Sequence, residues 1–248
     1  MSRINWKVVT AVVMIILLIA VSAGLIRWMR AEMGPSETAL AALQSDERVT
    51  VSQEAGHFTF QPTDGSSSTG LILYPGAGVD PRSYAPVTRL IAANGHLAVI
   101  APMPLNLALL KPNAAERVIA QHPEIEYWVI AGHSLGGVAA ASYAADQAAI
   151  DGIALLAAYP ANDVLADSAI RALSIHGSRD GLISPGDIDE SRPLLPSDSL
   201  FLEIEGGNHS QFGSYGLQEG DNDASISPEE QWSQIAEAVD ALLDSIAE

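Results

Sequence analysis

The sequence predicts an α/β fold: a doubly wound, mostly parallel sheet with helices packed on its faces. Three observations predict it. Six apolar runs, at residues 70–75, 96–101, 125–131, 152–158, 171–176 and 199–205, each end in a turn, and most are continuous instead of alternating. Strands buried on both faces of a parallel sheet read this way. Helical patterns lie between several of these runs, giving the strand and helix alternation of a doubly wound sheet. A glycine-bounded turn joins the run at 125–131 directly to a helix-forming stretch.

The amino terminus stands apart. Residues 8–26 carry no charge and are apolar except for Thr10, Ser22 and Gly24. As a helix they would span roughly 28 Å, close to the ~30 Å hydrocarbon core of a bilayer. Arg3 and Lys7 precede the run, Arg27 and Arg30 follow it, and Trp6 and Trp28 stand at interfacial depth. The run exceeds the h-region of a secretory signal, and Val21-Ser22-Ala23, a passable cleavage site, lies inside it. We therefore expect residues 1–33 to be an uncleaved signal anchor with one transmembrane helix at about 8–26. Equal basic flanks leave the positive-inside rule undecided. The usual arrangement of such an anchor gives a single-pass membrane protein with an extracytoplasmic domain. Residues 34–56 are expected to be a stalk or linker, Ser36 to Arg48 forming either a stalk or a short amphipathic helix, and residues 57–248 the catalytic domain.

Within that domain, Gly65-Ser66-Ser67-Ser68-Thr69-Gly70 reads as a hairpin or loop. Pro81 to Ala93 reads as a helix carrying apolar Val87, Leu90 and Ile91, and Asn113 to Gln121 as another with Val118 and Ile119. The last helix has the clearest start. Ser227-Pro228-Glu229-Glu230 supplies an N-cap, an N1 proline and a capping-box glutamate. Trp232, Ile235, Ala236, Val239, Leu242 and Leu243 then mark one face. About a dozen residues separate Ala158 from Arg171, too few for a helical lid, so any active site is open or covered only by loops. A core of about 190 residues is large enough to fold alone.

The turn after 125–131 is Gly132-His133-Ser134-Leu135-Gly136-Gly137, a G-x-S-x-G element between strand and helix. There a serine hydroxyl is pushed out of the sheet, and the following helix presents N–H groups and a positive dipole end beside it. Ser134 is the candidate nucleophile. It needs a base and a group to orient that base, in the order Ser, acid, His. Two histidines follow it. His176 ends a strand-like run, whereas His209, in Gly206-Gly207-Asn208-His209, lies on a loop beyond the last strand and is the candidate base. Asp180, in a Gly-flanked turn after the run at 171–176, is the candidate acid, with Asp163 as its competitor. Leu135 N–H and an N–H after the run at 70–75, assigned to Ala77 in Pro75-Gly76-Ala77-Gly78, are the candidate oxyanion donors. Ser210 to Ser227 is either a pocket-shaping loop or a solvated acidic connector.

These residues resemble the α/β-hydrolase family over roughly residues 57 to 247. The likeness rests on Tyr74-Pro75-Gly76-Ala77-Gly78, the Ser134 element, the Asp180 turn and Gly207-Asn208-His209. It is similar above all to the small, lidless serine hydrolases described as dienelactone-hydrolase-like. True dienelactone hydrolases use a cysteine nucleophile and this chain has no cysteine; Pro75 also stands where the common oxyanion segment has histidine. The resemblance implies hydrolysis of esters or thioesters.

Charge bounds the partners. Four of the 12 basic residues and one of the 30 acidic ones precede Gly34, leaving 8 against 29, a net of −21. Such a domain repels nucleic acid and anionic headgroups, so membrane contact is expected from the anchor. Asp221-Asn222-Asp223 suggests calcium, but the EF-hand template places Ile226 and Trp232 where it needs Gly and Glu, so no metal or cofactor is expected. The sequence thus predicts a membrane-anchored carboxylesterase-like serine hydrolase acting on a small-molecule or lipid-like ester. An acyltransferase using the same residues, and a catalytically silent binding module, are the alternatives.

Overall fold

The computed structural model describes residues 13–22, 24, 33–54, 56–65 and 67–248. Eight strands form one sheet: β1 (Val49–Glu54), β2 (His57–Pro62), β3 (Thr69–Tyr74), β4 (Leu97–Ile100), β5 (Tyr127–His133), β6 (Gly152–Leu156), β7 (Arg171–Gly177) and β8 (Leu200–Ile204). Their spatial order is β1-β2-β4-β3-β5-β6-β7-β8. β1, β2 and β4 pair antiparallel, and every pairing from β4 through β8 is parallel. β4 and β5 flank β3 on opposite sides. The connections diverge there, which opens a crevice at the carboxyl ends of β3 and β5.

Side chains alternate between two apolar layers. Leu71 and Leu73 of β3 enter one layer, with Val87 and Ile91 of α2 (Ala85–Ala93) and Trp232, Ile235 and Val239 of α6 (Pro228–Ala247). Ile72 and Tyr74 enter the other, with Val118 of α3 (Ala115–Gln121) and Ala139–Ala141 of α4 (Leu135–Ala144). Burial on both faces explains the continuous apolar runs. α6 begins as its sequence predicts: Ser227 Oγ accepts Glu230 N–H, and the Glu230 carboxylate accepts Ser227 N–H. α5 (Pro185–Ser191) carries the same signature, with Ser184 and Asp187 as its capping box, a signal the sequence reading overlooked.

The segment expected as a stalk differs. Within 34–56, α1 (Glu37–Ala41) is capped by Ser36, and β1 pairs along its length with β2. β1 escapes a search for continuous apolar runs because, as an antiparallel edge strand, it buries fully only Val49. Among the described residues no helix is long and apolar enough to cross a membrane. Of the span expected at 8–26, residues 13–22 and 24 are helical with exposed side chains; the rest lies outside the described residues.

Candidate active site

Ser134 sits between β5 and α4 with φ 52° and ψ −125°. A residue with a β-carbon adopts this conformation only under constraint. The constraint is close packing of backbone on backbone. A β-carbon at Gly132 would collide with the Gly136 carbonyl, and one at Gly136 with the carbonyls of Tyr74 and Pro75. The strand, the turn and the helix start therefore fit only with glycine at these places, and the serine between them is half-buried beside a cavity of 630 Å³.

His209 lies in the crossover after β8. Gly206, at φ +80°, turns the chain. The Gln231 side chain, fully buried on α6, then bonds Asn208 at both ends, accepting its N–H at 3.1 Å and donating to its carbonyl at 2.9 Å. Asp180 follows β7. Its Oδ1 accepts the N–H groups of Leu182 at 2.8 Å and Ile183 at 2.7 Å, while Oδ2 lies 2.8 Å from His209 Nδ1. Both side chains are buried. A carboxylate locked by two backbone donors has one oxygen left, and that oxygen fixes the imidazole tautomer with the proton on Nδ1.

Asp221 braces this pair. Its carboxylate accepts Gly181 N–H at 3.0 Å, Ser210 N–H at 2.8 Å and Ser210 O–H at 2.5 Å, with a longer approach from His209 N–H at 3.4 Å. It therefore joins the turn that carries Asp180 to the turn that carries His209. Ser210–Ser227 is thus a structured wall and not a solvated connector: Phe212 is buried, and Tyr215 and Leu217 line the cavity beside Ser134.

Ser134 approaches the pair through its neighbour. The His133 ring centroid is 4.6 Å from that of His209 and 5.5 Å from that of Phe212. Among the described residues, no hydrogen bond joins Ser134 Oγ to His209. Burial, together with the nearby His209, holds His133 well below the usual histidine pKa. It is therefore a neutral ring and not a competing base.

The loop after β3 closes the other side. Gly76 N–H donates to the Tyr84 hydroxyl, Gly78 N–H to the Asn106 carbonyl, and Val79 N–H to the Gly76 carbonyl. Among the described residues, the N–H groups of Ala77 and Leu135 have no hydrogen-bond partner. The rejected candidates lie elsewhere. His176 Nε2 faces Glu203 at 3.2 Å, and Asp163 is exposed on the loop after β6. Tyr84 carries no signal of this role in the sequence, and Asp221 stands out there only in a calcium-like Asp-Asn-Asp run, because each acts through contacts distant along the chain.

Comparison with known proteins agrees with this fold. A family model described as Alpha/beta hydrolase family matches residues 70–233. No curated protein matches the chain. Among solved structures, a predicted CIB-like hydrolase from Thermoplasma acidophilum is similar at 17% identity and TM-score 0.56, over 78% of this chain and 99% of that one. The esterase domain of a Rhodothermus marinus protein is similar at 12% identity and TM-score 0.58, over 78% and 96%. Butyrate-bound esterase Est2 from Thermogutta terrifontis is similar at 14% identity and TM-score 0.58, over 81% and 95%. At these identities the likeness is one of fold.

Proposed function

The chain belongs to the alpha/beta hydrolase family, and from that premise we propose that it is a serine hydrolase of carboxylic esters, held at a membrane by residues 8–26. Ser134 Oγ attacks the ester carbonyl while His209 Nε2 takes its proton. Asp180 stabilises the resulting imidazolium. The N–H groups of Ala77 and Leu135 receive the oxyanion of the tetrahedral intermediate. His209 then passes the proton to the leaving alcohol, and the acyl group remains on Ser134. Water, deprotonated by His209, attacks the acyl-enzyme, and collapse of the second intermediate releases the acid and restores Ser134.

The observation that carries this reading is the buried 2.8 Å contact between His209 and Asp180. The two come from separate strand-end loops, and the His209 ring packs on the residue that precedes the strained serine. Ala77 and Leu135 offer N–H groups with no partner among the described residues, as an oxyanion site requires. That a structural relative of the same fold holds butyrate fits a short acyl group as one substrate.

The test is labelling of the full chain with a fluorophosphonate, wild type beside Ser134→Ala, with turnover of p-nitrophenyl butyrate followed in parallel. Label and turnover in the wild type, both lost in the variant, are expected. A folded wild type that takes no label and turns over no ester overturns the hydrolase reading.

A further inference from the structure

The segment that follows the apolar run is fastened to the rim of the cavity beside Ser134. Met33 lines that cavity and pairs with Val79 in a parallel bridge, and Asp80 N–H donates to the Met33 carbonyl at 3.0 Å. Ser36 is bonded twice to Ser214, N–H to carbonyl at 2.8 Å and hydroxyl to hydroxyl at 2.6 Å. Ile26, the last residue of the run, is seven residues before Met33, and seven residues reach at most about 25 Å. Wherever residues 8–26 insert, the mouth of the cavity follows within that distance.

The same carboxyl end of the sheet carries apolar side chains that are exposed among the described residues. The loop after β4 exposes Leu105, Leu109 and Leu110, and the loop after β8 exposes Leu217, which also lines the cavity. Leu105 is 54% exposed and Leu217 58%. Leu105 and Asn106 both hold positive φ, 55° and 53°, a conformation that costs energy in residues with a β-carbon. The turn is retained because the Asn106 carbonyl accepts Gly78 N–H at 2.9 Å. A strained turn therefore presents a leucine to the outside, directly against the loop that carries Ala77. In a domain with 29 acidic residues against 8 basic from Gly34 onward, apolar side chains gathered at one rim mark a contact surface.

We propose that this rim docks into the interfacial layer of the bilayer that holds residues 8–26, and that Ser134 acts on esters whose acyl chains are dissolved in that bilayer. The inference rests on the hydrolase and anchor readings above. It goes beyond the anchor, because the domain itself touches the membrane. The occupant is the bilayer because the chain's own apolar run ends within reach of the rim. The acidic surface selects zwitterionic lipid, since anionic headgroups repel it. Such a substrate passes from lipid to the cavity without crossing water.

The absence of cysteine from the chain permits a direct test. Full-length protein with Leu105→Cys, carrying a polarity-sensitive dye, is reconstituted into phosphatidylcholine vesicles. Asp64→Cys, on the turn between β2 and β3 at the opposite, amino end of the parallel strands, serves as the control. The dye at 105 is expected to report an apolar environment and to be quenched severalfold by nitroxide-bearing lipid, with the dye at 64 unaffected. A dye at 105 that remains in water, or one shielded without vesicles and in proportion to protein concentration, overturns membrane docking; the second result means a second copy covers the rim. The readout needs no catalysis. Turnover of p-nitrophenyl butyrate by the same preparation therefore separates failure of docking from failure of the hydrolase reading.

Discussion

Tyr84 Oη lies 2.8 Å from His133 Nδ1 and also accepts Gly76 N–H at 2.8 Å. One buried hydroxyl thus ties the loop after β3 to the residue before Ser134. Burial raises the Tyr84 pKa, so the hydroxyl keeps its proton and donates it to the neutral His133 ring. Tyr84→Phe removes this link and leaves a buried N–H and a buried ring nitrogen unpaired. A stability loss of about 1–3 kcal/mol is expected, measurable by denaturant unfolding. kcat should fall about tenfold, with KM little changed, because the oxyanion donors are loosened and not removed. An unchanged kcat in a folded variant would show that Tyr84 is only a core residue.

The left-handed φ of Ser134 is a stability cost held at the site. Ser134→Gly can adopt φ 52° and ψ −125° freely. Release of roughly 1–3 kcal/mol of strain exceeds the ~0.5–1 kcal/mol by which glycine favours the unfolded chain. The variant is therefore expected to be inactive and to melt a few degrees higher, at roughly 2–4 °C per kcal/mol for a domain of this size. Ser134→Ala, which keeps the β-carbon, is expected to be inactive without that gain. Equal melting temperatures for the two variants would argue against stored strain at this position.

Asp221 provides a third test, since its carboxylate spans the turns of Asp180 and His209. Asp221→Ala strands Gly181 N–H, Ser210 N–H and Ser210 O–H together, and about 1–3 kcal/mol of destabilisation is expected. Steady-state kinetics should show a lower kcat at nearly constant KM, because the base loses its position while the cavity keeps its walls. Asp221→Asn retains one acceptor oxygen and should recover part of both losses. If Asn rescues stability but not kcat, the brace acts on folding alone.

What the sequence made legible follows from how local each signal is. Ser134 is marked by its own neighbours, because only glycine at 132 and 136 lets strand and helix meet. Asp180 and His209 are marked by order and by position after strands that read clearly as β7 and β8. Tyr84 is different: its partner His133 is 49 residues away, and a tyrosine in a helical stretch reads as core. Asp221 is one acid in an acidic loop, and only the folded crossing of two turns gives it three donors. Leu105 belongs to no apolar periodicity, so its exposure is decided by backbone angles that composition does not encode. β1 illustrates the same limit for the fold, since an edge strand that buries one face alternates where a search for buried parallel strands expects a continuous run.

A pH-dependent stability follows from Asp240 on α6. Burial raises its carboxyl to about 7 against the ordinary 3.8, with Asp244 and Glu237 adding repulsion and the Asn94 side chain opposing the shift. His96, itself held below its usual pKa by burial, lies 3.9 Å away and is not a dependable counter-ion near neutrality. Between pH 3.8 and 7 the folded chain holds a proton at Asp240 that the unfolded chain has released. Stability from this group is therefore complete below the unfolded value and is lost as pH rises through the folded one. Asp240→Asn mimics the protonated form at every pH. It is expected to melt above the wild type at pH 8 and level with it near pH 4, with the difference growing from about pH 4 to about pH 7 and constant above that. Thermal melts of the two proteins across that range provide the check, and a constant offset at all pH values would assign the effect of the substitution to packing instead of charge.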